Sequence, residues 1–379
     1  MTDTLDKGLR MEEILREYFI ELGYFVVRGP VYEFNGYEIT DIDLWIYSKT
    51  SIFGRQRFNV DIKNKKSPQA MERILWAKGL QHSLGLDGAL VATSDSRADV
   101  RNFGEQNNVT ILDGSLLSKL KNRYASNAKR IAEEDFGKLL GPDKTGDQWF
   151  DKIESAKSRI LSHFDFDGCN SHLADTKYFA EQIFTVANRK DVALRLFYVS
   201  ISFFLASIDF VLQDFAFLEH PLQSERLNSG LRFGKLGKHG TDRMFSTAAK
   251  IASIYLKDKN VRAQDIVKQL EGESLKMPVE ILSEFILKTN LNKQLFEMAR
   301  LFDQVAYSKN LEVPGALSAD QKGLIGAILD FHQIERRKFF EATEFGKPVQ
   351  SPGISHVAQP ELSITSSKVE DKSKPEQKD

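Results

Sequence analysis

The chain is poor in the features that would assign it quickly. A single cysteine, Cys169, in 379 residues leaves no intrachain disulfide and no cysteine-based zinc site. Charge of one sign is also missing: 52 Lys and Arg stand against 53 Asp and Glu, so any polyanion partner must be met by a local patch. The longest apolar run, LFYVSISFFLASI at 196–208, is closed by Arg195 and Asp209. It is too short to span a bilayer and reads as a buried helix. The opening MTDTLDKGLRMEE has no apolar h-region, so a signal peptide is not expected. No repeat at a fixed period suggests a solenoid. These absences point to a cytoplasmic protein with no membrane partner.

What is present suits a globular chain. Hydrophobic residues make up 41% and charged residues 28%, enough to bury a core, and the length suits two domains with a tail. The text divides into an α/β stretch at 1–120, a charged linker region at 121–149, a mainly α-helical domain at 150–347 and a polar tail at 348–379. Low hydrophobicity and mixed charge predict disorder for the tail.

The stretch 41–66, DIDLWIYSKTSIFGRQRFNVDIKNKK, reads as two strands joined by a polar turn. Alternation places Ile42, Leu44 and Ile46 toward a core, with Asp41 and Asp43 on the other face. In the second strand Phe58, Val60 and Ile62 form the apolar face and Asn59, Asp61 and Lys63 the opposite one. Asp61 and Lys63 are then about 7 Å apart at their Cα atoms. Two carboxylates and an ammonium on one side of a small sheet suit phosphodiester hydrolysis. Mg²⁺ prefers carboxylate, water and phosphate oxygens, which makes Asp43 and Asp61 candidate metal ligands. Lys63 would orient a water and favour its deprotonated form.

Around this pair the segments run helix, strand, acidic strand, D-x-K strand, helix, strand. The helix at 9–22 places Leu9, Met11, Ile14, Leu15, Tyr18, Phe19 and Leu22 on one face, and Gly23 ends it. YFVVR at 24–28 is a strand, broken by Gly29-Pro30, and an extended segment at 31–40 turns at Asn35-Gly36. A further helix spans 68–84. The strand ALVAT, a helix behind the cap cluster Ser94-Asp95-Ser96, and a strand at 109–112 closed by Asp113-Gly114 follow.

This pattern resembles the PD-(D/E)xK nucleases of the restriction-endonuclease-like fold. It is closest to the Mrr-like restriction enzymes and the archaeal Holliday-junction resolvases, over residues 8–118. The resemblance matches Glu12 to the acid of the first helix, Asp43 within ITDIDLW to the hairpin acid, and Asp61-Ile62-Lys63 to the E-x-K or Q-x-K tripeptide. GLDGALVATSDSRADVRNFGEQNNVTILDGSLL matches the later strand, helix and closing turn. Asp61 stands where Glu or Gln is commoner, and no proline precedes Asp43. The resemblance implies an α/β domain with a mixed sheet flanked by helices, Mg²⁺ with Mn²⁺ as substitute, DNA as substrate, and Gln81 as a helix residue facing the site. A restriction or anti-phage role follows from it alone. For Glu12 a solvated helix position is an equal alternative.

Basic residues supply candidate phosphate contacts. Arg55, Arg57, Lys65 and Lys66 form, with Lys63, the densest cluster of the first 120 residues. In the helical part, RLNSGLRFGKLGKHGTDR at 226–243 interleaves glycines with Arg232, Lys235, Lys238 and His239. Backbone N–H groups and cations together suit a phosphate or a nucleic-acid backbone. Without G-K-[ST] after a strand, ATP binding is not implied. The spacing of Arg232 and His239 also resembles the R-x(4–6)-H of the HEPN ribonucleases, which implies metal-independent RNA cleavage with His239 as acid/base. Elsewhere helices are expected at 150–164, 176–186, 192–218, 243–255, 261–270, 279–287, 290–307 and 324–345.

The expectation is a Mg²⁺-dependent DNA endonuclease, acting as a homodimer because two sites cut two strands. The alternatives are a binding module of this fold without chemistry, its helical half contacting a protein, and the RNA-cutting enzyme.

Overall fold

Antiparallel pairing begins where the apolar alternation begins. The computed structural model describes residues 7–51, 54–63, 69–124, 130–186, 188–255, 262–288 and 291–344. Helix α1 (Lys7–Glu21) leads to β1 (Phe25–Arg28), the hairpin β2 (Val31–Phe34) and β3 (Tyr37–Asp41), then β4 (Leu44–Lys49) and β5 (Arg55–Lys63). Helix α2 (Ala70–Ser83), β6 (Gly88–Thr93), α3 (Ala98–Gln106), β7 (Val109–Leu112) and α4 (Gly114–Tyr124) complete the α/β part. The main sheet has the order β1-β4-β5-β6-β7. β1, β4 and β5 are antiparallel, whereas β5, β6 and β7 are parallel through the crossover helices α2 and α3. β2 and β3 form a separate ribbon, and its turn takes positive φ at Asn35 and Gly36.

The expected alternation holds along β5 and most of β4. Leu44, Ile46, Val60 and Ile62 pack with Met11, Leu15 and Phe19 of α1 and Leu117 and Leu120 of α4. Asn59 and Asp61 face α2, where the Asn59 side-chain amide donates to the Ala77 carbonyl. Ile42 departs from the expected face: it lies between β3 and β4, and the bend there turns it into the core shared with Trp45 and Tyr47. The Ser94-Asp95-Ser96 cluster gives no N-cap to α3, because Asp95 accepts from the Arg97 N–H and guanidinium instead.

The rest is helical: α5 (Glu133–Leu140), α6 (Lys144–Ser162), α7 (Phe166–Thr185), α8 (Lys190–Leu212), α9 (His220–Phe233), α10 (Gly237–Tyr255), α11 (Ala263–Lys276), α12 (Val279–Lys288), α13 (Leu291–Ala306), α14 (Ala319–Phe331) and α15 (Arg336–Ala342). Asp143 and Asp165 cap α6 and α7, and Ser318 with Gln321 makes a capping box for α14. The region expected as a linker is largely helix, with Phe136, Leu140 and Trp149 buried; 125–129 and the tail lie outside the described residues. The α/β and helical parts share one core, since Phe25, Val27, Trp45 and Tyr47 pack with Phe164, Phe203 and Leu205. The apolar run at 196–208 is the middle of α8. The stretch 190–215 is long and apolar enough to cross a membrane, yet the most apolar part of it is buried within the protein.

Polar bolts fasten this junction. Asp209, fully buried in α8, accepts from Tyr47 Oη at 2.6 Å, Lys49 Nζ at 2.7 Å and Arg55 Nε at 2.8 Å. Removing the carboxylate takes away the acid that the buried Arg55 and the half-buried Lys49 share. We therefore expect Asp209→Ala to lower unfolding stability by about 3–5 kcal/mol in denaturant titration. A loss near zero would mean that the pair contributes nothing.

Two histidines of the helical part are withdrawn from solvent, His172 fully and His332 in part. His172 has neither ring nitrogen hydrogen-bonded, and burial, with Arg159 nearby, holds its pKa well below 6.5. Burial likewise brings His332 down to about 4. A depressed folded-state pKa means that the unfolded chain takes up protons first, so these groups lose stability as pH falls from 6.5 toward 4. Phe in place of His172 is expected to flatten that acid limb in melting curves; an unchanged slope would refute the assignment.

Candidate active site

The candidate site lies at one edge of the sheet, where β1 and the parallel strands β5 and β6 end and β4 begins. Carboxyl ends of parallel strands leave a crevice that side chains and ligands can share. The ladder pairs Leu44 with Val60, and one further step sets Asp43 opposite Asp61. Asp43 is pinned on two sides. Its carbonyl accepts from the Gly29 N–H at 3.2 Å, and its Oδ2 accepts from the Ile62 N–H at 2.5 Å. Gly29 has φ +66, a turn conformation that leads directly into Pro30 and the β2–β3 ribbon.

Asp61 is buried in β5 with both oxygens on one partner. Arg73, in the first turn of α2, donates Nε to Oδ2 at 2.8 Å and Nη2 to Oδ1. The guanidinium also lies 5.7 Å from the centre of the Trp76 ring. Lys63 is two residues on, at the end of β5, and makes no ion pair among the described residues. Its charge acts on Asp43.

Glu12 joins the site through Arg28. Arg28 pairs with Leu44 in the ladder and its buried guanidinium binds Glu12 at 2.8 Å, Glu13 at 2.6 Å and Glu134 at 2.6 Å. Burial raises the Glu12 pKa; Arg28 opposes this, and the negative charge of Asp43 adds to it. Burial also raises Asp43, against the Ile62 N–H and Lys63. Two part-buried carboxyl groups that resist ionisation, one of them repelled by the other, form a place where added positive charge is favourable. Their hard oxygens suit Mg²⁺ or Mn²⁺. No three acidic, histidine or cysteine groups converge to ligand distance among the described residues, and at Asp61 the positive charge is a guanidinium.

Gln81 lies away from this edge. It bonds Lys78 and the Leu86 carbonyl at the far end of α2, about 12 Å along the helix from Arg73. The helix runs back along the sheet, so only its first turns reach the ends of the strands. Arg73 is the residue that sequence reasoning missed. It lies on the same stripe as the buried Ala70, Ile74 and Ala77, a spacing visible in the sequence.

The expected phosphate contacts divide. Arg55 is buried against Asp209 and the Ser51 carbonyl, and Arg57 lies 4.7 Å over the Phe210 ring with Nη2 on the Gly85 carbonyl. Both fasten the sheet to its surroundings. A hairpin that looks solvated in isolation is covered here by α8. Lys65 and Lys66 lie outside the described residues.

In the helical part, the expected loop at 226–243 is the end of α9, a three-residue turn and the start of α10. Gly234 and Gly237 make that turn with positive φ, while Gly230 lies within α9, where a Cβ would strike the Phe166 ring. Arg232, on α9, binds Glu280 at 2.7 Å, and His239 is exposed on α10. Lys235 is exposed, with Asp165 at 3.1 Å, and Lys238 is exposed as well.

Compared with protein-family models, with curated proteins and with solved structures, the chain has no match.

Replacing Arg73 by Gln leaves the buried Asp61 carboxylate without its cation. The variant is expected to melt lower than wild type in EDTA and to regain more stability than wild type when Mn²⁺ is added. Equal responses of the two proteins would show that Arg73 does not compete with the ion.

Proposed function

We propose that the sheet edge is the active site of a metal-dependent endonuclease of the PD-(D/E)xK kind, which hydrolyses DNA phosphodiester bonds. The observation that carries this reading is the juxtaposition of Asp43 and Asp61 at the adjoining ends of β4 and β5, with Lys63 one turn of the pleat beyond. The order helix, antiparallel strands, crossover helix, parallel strand around that pair supports it.

In this reading Asp43 and Asp61 hold the ion, and Glu12 adds negative charge beside them. A divalent ion there would neutralise phosphate charge and make a bound water more acidic. Lys63 holds that water by hydrogen bond and stabilises its deprotonated form. Arg73, once released from Asp61, has a guanidinium fork suited to a phosphate oxygen. Exposed Lys235, Lys238 and His239 offer a second, weaker contact for a nucleic-acid backbone. Cutting both strands calls for a second copy of the chain, and cytoplasmic restriction or anti-phage defence is the role consistent with such chemistry.

One observation favours a second reading. The bidentate hold of Arg73 on Asp61 is what a site that binds without cutting would also have, with fixed charge in place of an ion.

The deciding assay uses supercoiled plasmid, methylated plasmid, branched DNA and single-stranded RNA, each with Mg²⁺, Mn²⁺ or EDTA. Metal-dependent DNA cleavage is expected for wild type and for His239→Ala. Lys63→Ala is expected to fall by at least about 10²-fold, the scale for removing one transition-state donor. RNA cleavage in EDTA that disappears in His239→Ala would move the chemistry to the helical part. DNA binding with no cleavage under any condition would favour the binding module.

A further inference from the structure

A cleft of about 440 Å³ opens in the helical part, far in sequence from the sheet edge, between α7, α9, the end of α11, the start of α12 and the end of α14. Its volume lies within the range of small-molecule sites, roughly 300–1,000 Å³. Leu173, Leu231 and Phe331 contribute apolar wall, and Lys177, Arg232 and Lys276 contribute charge. Glu273 is the acid among the lining residues, and it pairs with Lys276 at 2.7 Å.

Two buried polar atoms of lining residues have no partner. Asn170 donates its amide to the Gly230 carbonyl at 3.1 Å and leaves Oδ1 without a donor. Arg232 uses Nη2 on the Met277 carbonyl and Glu280, and leaves Nε–H without an acceptor. A buried polar group left unpaired is costly, so an unmet acceptor and an unmet donor on residues that line a cleft indicate what a ligand should bring. His332 adds a fixed polar wall. Its Nε2 lies 2.9 Å from the Thr176 hydroxyl, which itself donates to the Leu173 carbonyl.

We infer that this cleft binds a small phosphorylated molecule of mononucleotide size. Lys177, Lys276 and the Arg232 Nε–H meet its phosphate, the apolar wall meets its ring, and Asn170 Oδ1 accepts from a ring N–H. The cations supply affinity for the anion, whereas Asn170 selects for a ring N–H, which inorganic phosphate lacks. The inference does not depend on the nuclease reading, because none of these residues belongs to the sheet edge.

The test measures binding of adenosine, guanosine, cytidine and uridine 5′-monophosphates to the full chain by calorimetry and melting. Inorganic phosphate and the free nucleosides serve as comparators. A background of Asp61→Asn together with Arg73→Gln removes both the carboxylate and the guanidinium that could hold a nucleotide at the sheet edge. At least one monophosphate is expected to raise the melting temperature by about 2 °C or more at saturating concentration. Lys177 and Lys276 are exposed, at 51% and 72%, so Lys177→Gln together with Lys276→Gln keeps the fold. That double variant is expected to bind at least about tenfold more weakly. The inference is overturned if no monophosphate binds, if the double variant binds equally well, or if inorganic phosphate binds as tightly as the nucleotide.

Discussion

The guanidinium of Arg28 is the point at which the candidate site and the helical part become one structure. A cation this deeply buried must be paired, and Arg28 takes Glu12 and Glu13 from α1 and Glu134 from α5. Those acids are drawn into a wider network: Glu133 binds Arg16 and Lys157, each at 2.6 Å, and Tyr307 lies 3.1 Å from it. Burial pushes Glu133 upward, but Lys157 and Arg16 overcome this and hold it below the ordinary carboxylate range. Buried ion networks of this kind stabilise weakly relative to an apolar core, yet breaking one member is expensive. The position of α1, and with it Glu12, is therefore fixed by residues more than a hundred positions downstream.

This coupling explains why the sheet edge carries tension. Glu12 cannot give all of its charge to the site, since Arg28 already holds part of it, and Asp43 is anchored by backbone N–H groups on both sides. What remains adjustable is the pair Asp61 and Arg73. Arg73 is on a helix rather than on the sheet, its exposure is greater than that of Asp61, and its side chain is long. A cation on a flexible stem beside a fixed carboxylate is the arrangement from which an exchange of one positive charge for another costs least. The same geometry serves a permanent ion pair, which is why release of Arg73 rather than the presence of Asp61 separates the two functional readings.

Much of this was legible in the chain. The alternation of LWIYSK and FNVDIK set the faces of β4 and β5, Asn35-Gly36 marked the ribbon turn, and the apolar run of α8 announced a buried helix. These are local signals, and local physics determines them. Arg55 and Arg57 were illegible for the opposite reason: their partners Asp209 and Phe210 are about 150 positions away, and nothing near a basic hairpin says that a helix will cover it. Glycine misled in a similar way. At 226–243 four glycines resembled a loop, but Gly230 is set by the approach of Phe166 and only Gly234 and Gly237 by backbone conformation.

Gln81 and Arg73 show where periodicity stops being sufficient. Both lie on the stripe of α2 that faces the sheet, so helical spacing alone cannot choose between them. The choice depends on which end of the helix meets the ends of the strands. In a parallel crossover the chain leaves one strand at its carboxyl end, and the helix that follows starts at that edge and runs away from it. The first turn therefore adjoins residues that end the strand, and later turns adjoin residues that begin the next. Applied to β5, α2 and β6, that rule assigns the site to Arg73 and the opposite turn, at Leu86, to Gln81. It needs only the sense of the strands, and β6 runs parallel to β5.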